Sequence, residues 1–77
     1  MYTELDIVVL KKDILEQKLK AGDVGAVVHV YAHAKSYEVE FVNFRGETIA
    51  LLTLEDADLR PMADWEILHV RGLERAA

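Results

Sequence analysis

Between residues 19 and 61 the chain consists of short hydrophobic alternations cut by glycine turns. Leu19-Lys20-Ala21-Gly22-Asp23-Val24-Gly25 leads into Ala26, Val27 and Val28; Tyr37-Glu38-Val39-Glu40-Phe41 follows; Gly46-Glu47-Thr48 then opens a run to Leu54. Side chains in a strand alternate between two faces, and glycine supplies the backbone freedom that tight turns demand. This patterning specifies a small antiparallel sheet. A sheet of such short strands must close on itself or find a partner for its edges, and that choice is the main handle on function.

The chain of 77 residues supports one domain over residues 1–77. A domain near this size buries only about 60% of the surface its unfolded form exposes, so the core is thin. Hydrophobic residues make up 52% of the chain, with one proline and four glycines, a composition that folds rather than stays disordered. No cysteine is present, which removes disulfides and thiolate metal sites and points to a reducing compartment, the cytoplasm. The acidic start Met1-Tyr2-Thr3-Glu4-Leu5-Asp6 does not have the form of an export signal. Uninterrupted apolar runs stop at four residues, at 7–10 and 49–52, so no membrane contact is expected. A formal charge of −5 repels phosphate backbones and argues against broad nucleic-acid binding.

Five strands are expected. The first covers residues 5–10, followed by a long charged loop over residues 11–20, in which Ile14, Leu15 and Leu19 allow a helical turn. The second covers residues 24–31 and pairs as a hairpin with residues 37–41, where Glu38 and Glu40 face water and Tyr37, Val39 and Phe41 face inward. Asn43 and Gly46 make the next hairpin turn, the asparagine through its side-chain acceptor and the glycine through a left-handed backbone. The fourth strand is 47–54. An acidic turn at 55–59 stops at Arg60-Pro61, residues 65–71 form the last strand, and residues 72–77 fray.

This parts list is that of an all-β, five-stranded SH3-like barrel, with a long loop after strand 1 and a one-turn helix before the last strand. Its expected core is Leu5, Ile7, Val9, Val24, Val28, Val30, Val39, Phe41, Ile49, Leu51, Leu59 and Ile67, centred on Val28, Phe41 and Leu51.

The glycine-aspartate element at residues 19–25, the strand 37–41, Gly46-Glu47-Thr48 and Asp58-Leu59-Arg60-Pro61 together resemble the bacterial domain-of-unknown-function family 4926, over residues 5–71. The resemblance implies a small barrel without an assigned activity. More distantly, the glycine-aspartate opening resembles other SH3-like barrels, including the KOW-type modules of ribosomal and transcription proteins. The turn at residues 32–36 departs from the pattern, because no glycine precedes Tyr37.

Catalytic and metal-binding signatures are weak. His29 and His33 are four apart, a spacing that converges on a helix but not along a strand and its turn, and His69 belongs to another strand. Ser36 has no positioned base, and Glu38 with Glu40 reads as a solvated sheet face rather than an acid-base pair. No enzyme, metal or cofactor is expected. Protein contact is the preferred reading, by self-association or with one partner, through edge-strand backbone and apolar residues left outside the core: Val8, Leu10, Tyr31, Trp65, Leu68 and Val70. An antitoxin-like role, an acidic protein blocking a basic one, suits the charge. The alternative is an RNA- or ribosome-associated KOW-like barrel using Lys20, Lys35, Phe44 and Arg45.

Overall fold

The computed structural model describes residues 1–33 and 35–73. Its strands are β1 (Ile7–Leu10), β2 (Val24–Tyr31), β3 (Ser36–Val42), β4 (Thr48–Glu55) and β5 (Leu59–Pro61). All pairings are antiparallel, and the order across the sheet is β4-β3-β2-β1-β5. The expected barrel is therefore overturned. β4 and β5 do not pair, and the molecule is an open, five-stranded sheet.

The reason lies at the C-terminal end of the sheet. The last strand is not 65–71 but the three residues Leu59–Pro61, which pair with β1 as Leu10↔Leu59, Val9↔Arg60 and Val8↔Pro61. Proline has no N–H to donate, so β5 ends there and cannot extend the ladder. Residues 65–71 form no strand.

Register decides which side chains meet. Residues directly opposite in an antiparallel pair share a face. Glu38 and Glu40 turn Tyr37, Val39 and Phe41 inward, and the ladders Tyr37↔Leu54, Val39↔Leu52 and Phe41↔Ala50 carry that face to β4, while Val27↔Val39 carries it to β2. The core accordingly contains Val8, Leu10, Leu19, Val27, Tyr37, Val39, Phe41, Ala50, Leu54 and Leu59. This corrects most of the expected core. Leu5, Ile7, Val28, Ile49, Leu51 and Ile67 are exposed, whereas Val39, Phe41 and Leu59 are buried; Val9 is also buried, but outside the main cluster. Val28 and Ile49 are the unpaired residues at the two register shifts, one in β2 and one in β4. A bulge of this kind adds one residue and returns the chain to the opposite phase.

Close approach requires Gly25. A Cβ there would lie 2.8 Å from Val39 Cγ1 and 2.9 Å from Phe41 Cε2, so the β2–β3 contact has room only for hydrogen.

The loop after β1 folds back onto the sheet. Ile14 and Leu19 bridge to each other around a 3-10 turn at Leu15–Gln17; Leu19 joins the core, Ile14 packs against it, and Leu15 points to solvent. A second 3-10 turn, Asp56–Asp58, precedes β5. At the β3–β4 hairpin Asn43 Oδ1 accepts from the N–H groups of Arg45 at 2.9 Å and Glu47 at 3.0 Å, and Gly46 has φ 81°. In the β2–β3 turn Lys35 takes a φ of 51°, a left-handed conformation that glycine adopts more readily than a residue with a side chain. The expected fraying of residues 72–77 falls, for 74–77, outside the described residues.

Candidate functional site

Two features of the sheet are unsatisfied. The first is β4, an eight-residue edge strand paired on one side only, with β3. Alternate residues of an edge strand turn their N–H and C=O groups outward, where another chain can pair with them. Ile49 and Leu51 lie exposed along it, Leu51 at 51%. Beside them on the same face, Thr53 donates to Glu38 at 2.6 Å and Thr48 to Glu40 at 2.5 Å.

The second is the segment 62–73, which leaves β5 and runs as a strap across the outer face of the sheet. Its rows of contact are electrostatic at both ends. Arg60 donates twice to Glu66, at 2.8 and 2.7 Å, and Glu66 also accepts the Ala63 N–H at 2.6 Å. The Arg60 guanidinium, then the Ala63 amide, hold the Glu66 carboxyl down at about 2. At the far end Arg71 grips Asp23 through Nε at 2.9 Å and through its terminal nitrogen, and donates to the Lys18 carbonyl at 3.0 Å. Burial pushes the Asp23 carboxyl up, but the hydrogen bonds from Arg71 and the Lys20 amide outweigh it and leave it below the ordinary carboxylate range.

Between these clamps the strap is apolar and uncovered. Trp65 is 100% exposed, Ile67 92%, Val70 90% and Leu68 65%. Fully burying a side chain of this class stabilises by about 1.5–3 kcal/mol, so four of them in water is a large unrealised term. A groove of about 590 Å³ separates the strap from Val9, Val24 and Arg60, and a second of about 810 Å³ lies between His69, Val70 and Arg71 and the hairpin residues Val42, Thr48 and Ile49.

The expected contact residues divide accordingly. Val8 and Leu10 are 0% and 1% exposed and form part of the core, so they offer no surface. Their burial follows from register: Val8 pairs with Gly25 and Leu10 with Leu59, both on the inner face. Trp65, Leu68 and Val70 come together on the strap, and Tyr31 stands apart at the end of β2, edge-on to His29 at 4.6 Å. The set considered for nucleic acid is not brought together. Phe44 and Arg45 stack at the β3–β4 tip, the guanidinium 5.4 Å from the ring, while Lys35 sits at the other end of β3, on the order of 20 Å away.

Sequence reasoning missed the exposure of Ile49 and Leu51. The signal was present in the acidic face of β3, since Glu40 pairs with Leu51 and must share its side. His29, His33 and His69 occupy β2, its following turn and the strap, and among the described residues no group of three or more His, Asp or Glu could hold a metal. Among the same residues no helix is long and apolar enough to cross a membrane.

No curated protein and no solved structure matches this chain. A family model matches residues 4–61, which takes in all five strands and stops at Pro61, so the strap lies outside the matched region. Over that span the chain belongs to DUF4926, a family described as a domain of unknown function.

Proposed function

We propose that this chain is a non-enzymatic interaction module that works in the cytoplasm by binding protein through its unfinished sheet. The observation that carries the reading is the pairing of a one-sided β4 with a strap whose apolar side chains have no cover. A backbone edge gives affinity through main-chain hydrogen bonds, and flanking apolar positions give specificity, which is the logic of strand addition. For a heterologous partner the charge of −5 selects a basic protein, and an antitoxin-like role belongs to that class.

Capture from host lysate by the full chain, compared with Leu51→Lys and Ile67→Lys variants, tests this. Both sites are exposed, so the fold is retained and a specific bound protein, this chain included, is lost. Identical capture by all three baits refutes a role for this surface.

A further inference from the structure

On the outer face one row of side chains crosses three strands: Val24 of β2, Val9 of β1 and Arg60 of β5 stand directly opposite one another. The two clamps of the strap sit at the ends of that row, Glu66 on Arg60 itself and Arg71 on Asp23, the residue before Val24. Val9, in the middle, is 3% exposed although it lies outside the main core cluster. Ile7, two residues earlier on the same face of β1, is 51% exposed. The groove that Val9 shares with the strap is lined by Met62, Glu66, Ile67 and Leu68 and does not include Ile7. The strap and the Arg60 side chain that it holds therefore close over Val9 and stop short of Ile7.

What the strap gives to the fold and what holds it in place are both small. All five strands end by Pro61, and the main cluster, with the side chains packed against it, comes from residues 2–59. Among the described residues no backbone hydrogen bond joins residues 62–73 to the sheet, and Trp65, Ile67 and Val70 bury almost nothing of themselves. The strap is held by two arginine–carboxylate pairs whose side chains keep between 18% and 41% of their surface in water. Pairs this open to solvent are weak and are screened by salt. A segment with few buried contacts and exposed polar bonds opens at a lower free energy than the sheet beneath it.

We infer that the strap is a charge-held cover with two positions. In the closed one, the Arg60–Glu66 and Arg71–Asp23 pairs hold it down and Val9 is sealed. In the open one both pairs separate, residues 62–73 leave the sheet, and the row of Val24, Val9 and Arg60 is uncovered with all five strands in place. No core contact is lost on opening, because none of the core cluster lies in the strap. The position of the strap thus sets whether the outer face of β1 is sealed or presents an apolar surface, and the change is internal to one chain.

The absence of native cysteine lets a single thiol report the cover. Full-length Val9→Cys places it under the strap, and Val8→Cys places it in the core opposite Pro61. Fraying of β5 or global unfolding exposes both thiols, whereas opening of the strap exposes the first alone. Val9→Cys should react with N-ethylmaleimide at least tenfold faster than Val8→Cys, at a rate that dilute urea hardly changes, because opening uncovers little surface. Arg71 lies outside the groove over Val9, so a several-fold faster reaction on adding Arg71→Gln reports release of the strap. Equal rates with equal urea dependence for the two thiols overturn the proposal, since Val9 is then reached only by unfolding, and so does a Val9→Cys rate that Arg71→Gln leaves unchanged. A second measurement avoids substitution in the buried row: relaxation of the Val9 methyl resonances by a soluble gadolinium chelate should rise from the wild-type chain to Arg60→Gln/Arg71→Gln, toward the value at exposed Val28, with Val8 unaffected. No rise at Val9 refutes the cover. Neither measurement involves a bound protein, so the labelling and the capture from lysate can fail independently.

Discussion

Val27 stands directly opposite Val39 across β2 and β3, both sealed from solvent, while its neighbour Val28 has no partner in the ladder and is 39% exposed. Two adjacent, identical residues thus occupy opposite environments. Val27→Ala removes two buried methyl groups and leaves a void, and should cost about 2–3 kcal/mol. Val28→Ala should cost about 0.5 kcal/mol, as expected of a surface site. Urea unfolding of the two variants measures both, and equal losses would place the bulge elsewhere.

Two glycines should respond to alanine for different reasons. At Gly25 the new methyl collides with Val39, Phe41 and the Glu40 carbonyl, all within 3.0 Å, and overpacking of this kind costs about 1–3 kcal/mol. Nothing lies within 4 Å of the position at Gly22, but its φ of 97° leaves about 1 kcal/mol of backbone strain. Thermal unfolding should rank Gly25→Ala as the less stable. A reversed order would refute the close β2–β3 contact.

Leu5 has a φ of 75° and is 81% exposed, at the third position of a turn closed by the Asp6 N–H donating to the Thr3 carbonyl at 3.1 Å. Glycine relieves a left-handed penalty of about 1–2 kcal/mol and returns about 0.5–1 kcal/mol in chain entropy. Leu5→Gly should therefore stabilise by up to about 1 kcal/mol, read as a higher urea midpoint. A loss would show that the leucine side chain holds a contact in solution.

The strap should be acid-sensitive. The Glu66 carboxyl titrates at about 2 when paired, against 4.5 when free, so its contribution is fully present above 4.5 and is lost as pH falls toward 2. The carboxyl carbon resonance should follow this titration, and Arg60→Gln should move its midpoint up toward 4.5. An unshifted midpoint in the variant would mean that the clamp does not form.

How much was legible in the residues depends on how lopsided each strand is. The span of β2, the Asn43-Gly46 turn and the acidic turn before the last strand could all be read, because each rests on local chemistry. So could the inward face of β3, whose glutamates settle the matter. β1, β2 and β4 carry apolar residues on both faces, and a period of two cannot choose between them. The bulges at Val28 and Ile49 then reverse the phase partway along two strands, a change that no local residue announces. For the candidate site, Trp65, Leu68 and Val70 were legible as surplus apolar residues. Val8 and Leu10 were not legible as core, because their placement depends on pairing with Gly25 and Leu59.

The chain by itself determined the first four strands, the antiparallel hairpins that join β2, β3 and β4, and the shortage of polar cover for so much apolar side chain, since these follow from periodicity and turn chemistry within a few residues. Tertiary structure alone decided that Leu59–Pro61 would take the edge beside β1 and leave residues 65–71 outside the sheet. Leu59 gains a place in the core opposite Leu10, and the proline two residues later ends the ladder before the sheet can close.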